Sequence, residues 1–246
     1  MRAPALSDLH GMPFLDDEFA SRRLLAIIAA ARYGAAARQG LTGGLSRWQA
    51  EAWLTPARAY LVNAGPTPMP AQPFRAARRQ QVTDALARLA AVMPAWAPLL
   101  ILPVRYARLQ PAVGAISASS RDWPQHVLLA DDAFATDAEL REQLVHELAH
   151  QWLYLIEDVW PLDTPGAARL TLPSGTRGRA PAEVLGAAHV AAVLTRMYAM
   201  TGGPGAESRI SALTAYGRGC LELAQTASAD LTSAGTMIAQ RLKEAQ

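Results

Sequence analysis

The chain has 246 residues, of which 51% are hydrophobic and 18% are charged, so it can bury a hydrophobic core without a partner. A formal net charge of +2 and a single cysteine argue against a nucleic-acid partner, an internal disulfide and a Cys-x-x-Cys metal site. Prolines interrupt the apolar region 90–104, so no stretch is expected to span a membrane, and we expect a cytoplasmic protein with no membrane partner.

The N-terminal region of the chain, residues 1–95, is predicted to be helical. An alanine-rich helical pattern covers 17–37, and one or two further helices are expected within 46–63. Four prolines then mark a loop, after which 75–92 has apolar residues on one helical side and arginines on the other.

Short apolar runs predict a small sheet in the middle of the chain. The run 99–104 reads as a strand, and 125–130 reads as a short buried strand. The segment 112–117 is the expected partner of 125–130, across a turn at 119–124.

A long helix is predicted to follow these strands. Thr136-Asp137-Ala138-Glu139 has the form of a capping box and brings acidic side chains into a first helical turn. Leucines recur at helical spacing from there to Leu155, and Pro161 ends the pattern.

His146-Glu147-Leu148-Ala149-His150 falls in the middle of this helix. Residues four apart lie on one face of a helix, so His146 and His150 can direct two imidazole nitrogens at one metal ion. Glu147 lies a step round the helix, where it can reach a metal-bound water as the general base of zinc peptidases does. The alternative is a surface helix that carries two histidines, and the capped amphipathic context favours the metal site.

A metal site of this kind needs a third ligand, and the helix predicted to begin at Pro181 offers two candidates. Glu183 is the first choice and His189 the second. Six residues apart on a helix, they point about 120° from each other, so they are alternatives. Without a metal, Glu183 is a first-turn acid stabilised by the helix dipole, and His189 is a buried core histidine.

Arg177 and Arg179 precede that helix in a glycine-containing loop. The planar guanidinium matches a carboxylate, so either arginine is a candidate for binding a substrate carboxylate or a 2-oxo acid. A solvated loop is the alternative. Two more helices, over 207–227 and 231–245, are expected to close the chain.

The run 146–162, HELAHQWLYLIEDVWPL, resembles the HExxH-motif family of bacterial proteins that mature ribosomally synthesised, post-translationally modified peptides. The serine-rich turn and short strand within 115–131, and the Arg-x-Arg-x-Pro loop entering an alanine-rich helix, follow in the order that the family uses. Counting this order of elements, the resemblance covers most of the chain. Its specificity rests mainly on HExxH and the residues that flank it.

The resemblance implies an Fe(II) and 2-oxoglutarate-dependent hydroxylase that uses O2 to modify a side-chain carbon of a ribosomal precursor peptide. His146 and His150 would bind iron, with Glu183 or His189 as the third ligand. Arg177 or Arg179 would hold the far carboxylate of 2-oxoglutarate, and three open positions on the iron would suit the 2-oxo acid and O2. Oligomeric state and peptide sequence do not follow from it.

Two other functions stay open. A zinc metallopeptidase of gluzincin type would use Glu147 as general base and Glu183 as third ligand, although Ala187 stands where gluzincins often have an aspartate beside a ligand histidine. The other open function is a peptide-binding module with an inactive metal site. The presence of Glu147 argues against it, because an inactive site need not keep this acid.

The predicted fold class is α+β and mostly helical. We expect one metalloenzyme domain over 1–246, with a helical N-terminal region over 1–95, a zincin-like core over 96–200 whose short β-sheet lies beside the HExxH helix, and C-terminal helices in 201–246.

Overall fold

Among the residues that the structure describes, 60% are helical and accompany a small mixed sheet of four strands. The structure, a computed structural model, describes residues 5–110 and 114–245. The α-helices are α1 Ser21–Arg38, α2 Pro56–Asn63, α3 Ala76–Val92, α4 Ala97–Leu100, α5 Asp137–Glu157, α6 Pro181–Thr201, α7 Ala206–Thr226 and α8 Ser233–Glu244. The strands are β1 Ala71–Gln72, β2 Arg105–Leu109, β3 Ser117–Ala118 and β4 His126–Leu129. The α+β class expected from the sequence is thus confirmed at this level.

The predicted helices are confirmed within a few residues of their expected bounds. The segment 46–63 holds a 3₁₀-helical stretch, Arg47–Leu54, followed by α2, which has Pro56 in its first turn. Proline fits that position because its fixed φ is helical and its missing N–H would be unbonded there anyway. Pro181 begins α6 in the same way.

The strand predicted over 99–104 is wrong. Residues 97–100 form the short helix α4, with Pro98 in its first turn, and the strand β2 begins only after Pro103. Proline has no N–H for a strand ladder but suits the start of a helix. Within β2, Ala107 and Leu109 are buried whereas Arg105 is exposed, a period-two pattern that two arginines concealed in the sequence.

The buried strand predicted over 125–130 is confirmed as β4, all four residues of which are buried. Of its predicted partner 112–117, residues 112 and 113 lie outside the described residues. The strand observed there is β3, which pairs antiparallel with β4 across the expected turn. The sheet order is β1-β2-β4-β3, with β2 parallel to β4 and β1 antiparallel to β2.

The chain forms two compact units, Ser21–Leu155 and Met1–Ala20 with Ile156–Gln246. In the first unit, one face of the sheet, carrying Val127 and Leu129, packs against apolar side chains of α3 and α5. The opposite face, carrying Ala107 and Leu128, packs against Trp123 and its neighbours. Cross-strand partners share a face, so the pairing of Ser117 with Leu129 turns Ser117 toward α5.

In the second unit, α6, α7 and α8 pack together with the N-terminal segment. The Arg196 guanidinium donates to the carbonyl oxygens of Phe14 (2.9 Å) and Leu15 (2.7 Å), and its other terminal nitrogen lies 2.7 Å from Asp17. Arg241 forms an ion pair with Asp16. Charged hydrogen bonds therefore join segments that are far apart in the sequence.

The helix α6 is long and apolar enough to cross a membrane by length and composition alone. Its length corrects the expectation that no stretch of the chain reaches spanning size. Of its most apolar stretch, 61% is buried inside the protein, as is common for the core helix of a globular unit.

Candidate functional site

The helix α5 carries the HExxH residues in its middle, as predicted. Thr136 accepts a hydrogen bond from the Glu139 amide at 3.0 Å, which satisfies one of the free N–H groups of the first turn. The apolar stripe of α5 is buried through Leu140, Leu144 and Leu148. Capping and burial together fix the start and the rotation of α5.

His146 and His150 lie beside each other on α5. Their ring centroids are 5.0 Å apart with an angle of 61° between the planes. Both rings are partly exposed, and the His146 side chain keeps 37% of its accessible surface. Two neighbouring imidazoles that open to solvent are suited to bind one metal ion.

Glu147 is buried, with 2% of its surface exposed. Its Oε1 accepts a hydrogen bond from the Ser117 hydroxyl at 2.6 Å and lies 3.9 Å from His146 Nε2. Its Oε2 is also buried and has no hydrogen-bond partner among the described residues. A buried carboxylate oxygen without a partner is costly, so Glu147 fits a site that is completed by an ion or a water.

Ser117 on β3 is a site residue that the sequence analysis missed. Its hydroxyl lies 2.6 Å from Glu147 Oε1 and 2.5 Å from Gln143 Oε1. A hydroxyl has one hydrogen, and donation to the carboxylate is the stronger bond because the acceptor is charged. The only signal in the sequence was the position of Ser117 at the end of a predicted strand, because its orientation depends on strand register.

Gln151 attaches α5 to β4 and was also missed. Its side-chain oxygen accepts from the Gln125 amide at 2.9 Å, and its side-chain nitrogen donates to the His126 carbonyl oxygen at 3.1 Å. Gln151 is 1% exposed and follows His150 directly. This double hydrogen bond satisfies backbone groups at the start of β4 and holds the HExxH helix against the sheet.

Two aromatic residues of α5 have different surroundings. Tyr154 stacks on His150, with centroids 5.8 Å apart and an angle of 15°. Trp152 is fully buried, and its indole nitrogen donates to the Leu99 carbonyl oxygen at 3.0 Å. Tyr154 therefore adjoins the histidine pair, whereas Trp152 belongs to the core.

Glu183, the first choice for a third ligand, has both carboxylate oxygens engaged in the second unit. Oε2 accepts from the Ala180 amide at 2.8 Å, and Oε1 accepts from Arg179 at 2.7 Å. A nitrogen of Arg169 lies 3.5 Å from Oε2. These contacts match the first-turn role that the sequence offered as the alternative for Glu183.

His189, the second choice, is fully buried in α6. Its Nε2 lies 2.9 Å from the Pro13 carbonyl oxygen, and its Nδ1 has no hydrogen-bond partner among the described residues. Burial lowers the pKa of His189 to about 4, and the hydrogen bond to Pro13 opposes this only incompletely. The ring is therefore neutral at neutral pH, with Nε2–H as donor and a lone pair on Nδ1.

The two predicted carboxylate-binding arginines differ in their contacts. Arg179 is bound to Glu183, so it can hold another carboxylate only by releasing or sharing that one. Arg177 is exposed and makes no hydrogen bond or ion pair with the described residues. Of the two, Arg177 has the free guanidinium.

Within residues 5–110 and 114–245, no group of three or more His, Cys, Asp or Glu side chains is arranged to hold a metal ion. His146 and His150 are suited to bind a metal because both are imidazoles and their rings are in contact. Glu147 is suited to bind a water at such a metal because its Oε2 has no partner among the described residues. The identity of a third ligand stays a prediction. The chain matches no protein-family model and no curated protein sequence.

Proposed function

We propose that this protein is a metal-dependent enzyme that acts on a peptide, with His146 and His150 as metal ligands. The observation that carries the proposal is the pair of imidazoles 5.0 Å apart on α5 with a buried, half-satisfied Glu147 beside them. A surface helix with two chance histidines would not need to bury a carboxylate next to them.

The preferred reaction is hydroxylation of a side-chain carbon in a ribosomal precursor peptide, dependent on Fe(II) and 2-oxoglutarate. The support is the resemblance of 146–162 to the HExxH peptide-maturation family together with the free Arg177. Iron bound at the histidines would supply O2 activation, with one oxygen atom going to the peptide carbon and the other to succinate as CO2 leaves. Arg177 would bind the distal carboxylate of 2-oxoglutarate.

A peptide substrate is supported by the position of β3. This strand lies at the edge of the sheet, next to the strand that Gln151 holds against α5. An edge strand offers unpaired backbone groups to an extended chain, which can add to the sheet antiparallel or parallel. The proposed zincin-like core, a short sheet beside the HExxH helix, would bring such a peptide to the histidines.

The second candidate is a zinc peptidase, and one observation favours it. Glu147 has Oε1 held by Ser117, while Oε2 has no partner among the described residues. A fixed carboxylate with one free oxygen is suited to take a proton from a water molecule and return it to a leaving amine. Zinc bound at the histidines would lower the pKa of a bound water molecule and so make it a better nucleophile.

The deciding experiment measures succinate release by protein that is purified without oxygen, loaded with Fe(II), and then given 2-oxoglutarate, O2 and the candidate peptide. We expect succinate from the parent protein and none from His146→Ala. His10→Asn is the matched control, because His10 is exposed and asparagine tolerates its left-handed backbone.

A parallel assay follows peptide cleavage by the zinc-loaded protein. Cleavage that Glu147→Gln abolishes, without succinate in the first assay, would establish the peptidase. Failure of both Fe(II) and Zn(II) to bind in a His146- and His150-dependent manner would overturn the enzyme proposal altogether.

The third ligand is tested by metal content. Glu183→Gln keeps the hydrogen bond from the Ala180 amide but removes the charge, and His189→Gln keeps a donor for Pro13 but removes the imidazole. We expect one of these two variants to lose metal while both stay folded. Full metal content in both would show that neither residue is a ligand.

A further inference from the structure

A cavity of about 580 Å³ lies in the unit Ser21–Leu155, beside the first residues of β2. This volume falls within the range of small-molecule sites. Apolar side chains contribute most of its wall, and the larger ones include Phe74, Val82, Leu86, Val104 and Tyr106.

The cavity exists because β1 is short. β1 pairs only with the last two residues of β2, and Pro73, which follows β1, has no N–H to continue the ladder. The chain turns away there, so nothing among the described residues pairs with Arg105 or Tyr106 on that side. The open edge of β2 and the facing side of α3 enclose the cavity.

The charged residues that line the cavity are all basic. They are Arg79 and Arg105, and no aspartate or glutamate among the described residues lines it. Arg79 donates one bond to the Phe74 carbonyl oxygen at 2.9 Å, which leaves its remaining N–H groups available. The Arg105 side chain is exposed and forms no ion pair with the described residues. An anion is therefore the complementary charge.

His126 also lines the cavity. It is 3% exposed, and its Nδ1 lies 2.8 Å from the Pro124 carbonyl oxygen. Its ring makes a T-shaped contact with the Tyr60 ring, with 5.4 Å between the centroids. The remaining nitrogen, Nε2, has no hydrogen-bond partner among the described residues. A polar atom so placed favours a ligand that can bond to it.

We propose that this cavity is a binding site for a small amphipathic carboxylate, separate from the histidine pair on α5. The apolar body of the ligand lies between α3 and β2, where it contacts Val82, Leu86 and Tyr106. The carboxylate binds Arg105 and Arg79 and comes within reach of His126 Nε2. Such a ligand pairs with the arginine that has no ion-pair partner and offers an acceptor near the imidazole, while removing its own apolar surface from water.

The test is calorimetric titration of the full chain with decanoate, decanol and decylamine. These probes share an apolar chain, and their head groups are anionic, neutral and cationic respectively. We expect saturable binding of decanoate, and binding of the alcohol and the amine that is weaker by about tenfold or more.

Two pairs of variants locate the site. Thr83→Trp places a large side chain over the cavity from an exposed position of α3, and Ala87→Trp is its control at an exposed α3 position outside the lining. Arg105→Gln removes the free cation, and Arg22→Gln removes an exposed arginine outside the lining. We expect Thr83→Trp to abolish decanoate binding and Arg105→Gln to weaken it about tenfold, while both controls bind normally.

Equal affinities for decanoate and decanol would overturn the assignment of a carboxylate ligand. Decanoate binding that survives Thr83→Trp would place the ligand elsewhere and overturn the site. If Thr83→Trp does not fold, the comparison of Arg105→Gln with Arg22→Gln decides by itself, because an unchanged affinity in Arg105→Gln contradicts the proposal.

Discussion

Glu147 shows how one side chain's surroundings decide the chemistry open to it. The Ser117 hydroxyl donates to Oε1 and so fixes the position of the buried carboxylate, while Oε2 has no partner among the described residues. The neighbouring Gln143 donates from its side-chain nitrogen to Glu139 at 2.8 Å, and its side-chain oxygen lies 2.5 Å from the same hydroxyl. Ser117 is thus a positioning residue that acts on the reaction through Glu147.

Ser117→Ala should lower turnover by roughly tenfold or more, because a hydrogen bond to a charged group contributes about 1.5–3 kcal/mol. Metal content should stay at the level of the parent protein, since Ser117 does not bind the metal. Ser117→Thr keeps the hydroxyl and should restore most of the activity. The measurement is kcat and KM in the succinate or cleavage assay, and unchanged kcat in Ser117→Ala would remove the positioning role.

His189 makes stability depend on pH in the metal-free protein. The unfolded chain takes up a proton near the ordinary histidine pKa of about 6.5, whereas burial lowers the pKa of His189 in the folded state to about 4. The stabilisation is therefore present above pH ~6.5 and is lost as the pH falls toward ~4, and it amounts to about 3 kcal/mol at most.

The comparison of interest is urea unfolding at neutral and mildly acid pH, with a chelator present, for the parent protein and His189→Gln. Glutamine does not titrate, so on acidification the free energy of unfolding should fall by about 2 kcal/mol less in the variant than in the parent protein. Burial also lowers the pKa of His126, but that residue is present in both proteins and its contribution cancels. Equal losses in the two proteins would contradict a buried neutral His189.

At the scale of single elements, α5 could be predicted because its signals are local. Its cap, its leucine spacing and its end before Pro161 all lie within the segment itself. The strand β2 could not be predicted, because Arg105 and Arg108 hide its alternation and its pairing with β4 depends on a segment some twenty positions away. Short strands take their conformation largely from their partners.

The cap of α5 allows a direct test at this scale. Thr136→Ala should lower the free energy of unfolding by about 1 kcal/mol, because the Glu139 amide loses its acceptor. Thr136→Ser keeps the oxygen and should have nearly the parent stability. Denaturant midpoints measure both variants, and equal midpoints for the alanine and serine variants would show that the cap contributes nothing.

At the scale of the whole molecule, the N-terminal segment belongs to a unit formed mainly by the last ninety or so residues. No local pattern indicates this, since the contacts join residues near the two ends of the chain. Arg196 on α6 donates to Phe14 and Leu15, and Arg241 on α8 pairs with Asp16. These bonds satisfy backbone carbonyls of a segment that has little regular structure of its own.

Arg196→Met should therefore destabilise this unit by about 2–3 kcal/mol, because two carbonyl oxygens and Asp17 lose a charged donor. Arg218→Met on α7 is the control, since Arg218 is exposed and has no bond to the described residues. Urea unfolding gives the size of the effect, and faster hydrogen exchange of the α6 amides in Arg196→Met would localise it. The same unfolding midpoint in both variants would show that the bonds from Arg196 to the N-terminal segment do not stabilise this unit.

The sequence by itself determined the helices other than α4, the buried strand β4 and the histidine pair with Glu147 on one helix. Each depends on residue spacing, helix capping or proline position within a few residues, and these short-range features set the local backbone conformation. Only the tertiary structure decided that Ser117 holds Glu147, that Glu183 is engaged with Arg179, and that a basic cavity opens beside β2. Those features depend on strand register and on which distant groups come into contact. A local sequence pattern specifies neither, because many different partners can satisfy the same hydrogen-bonding and burial requirements.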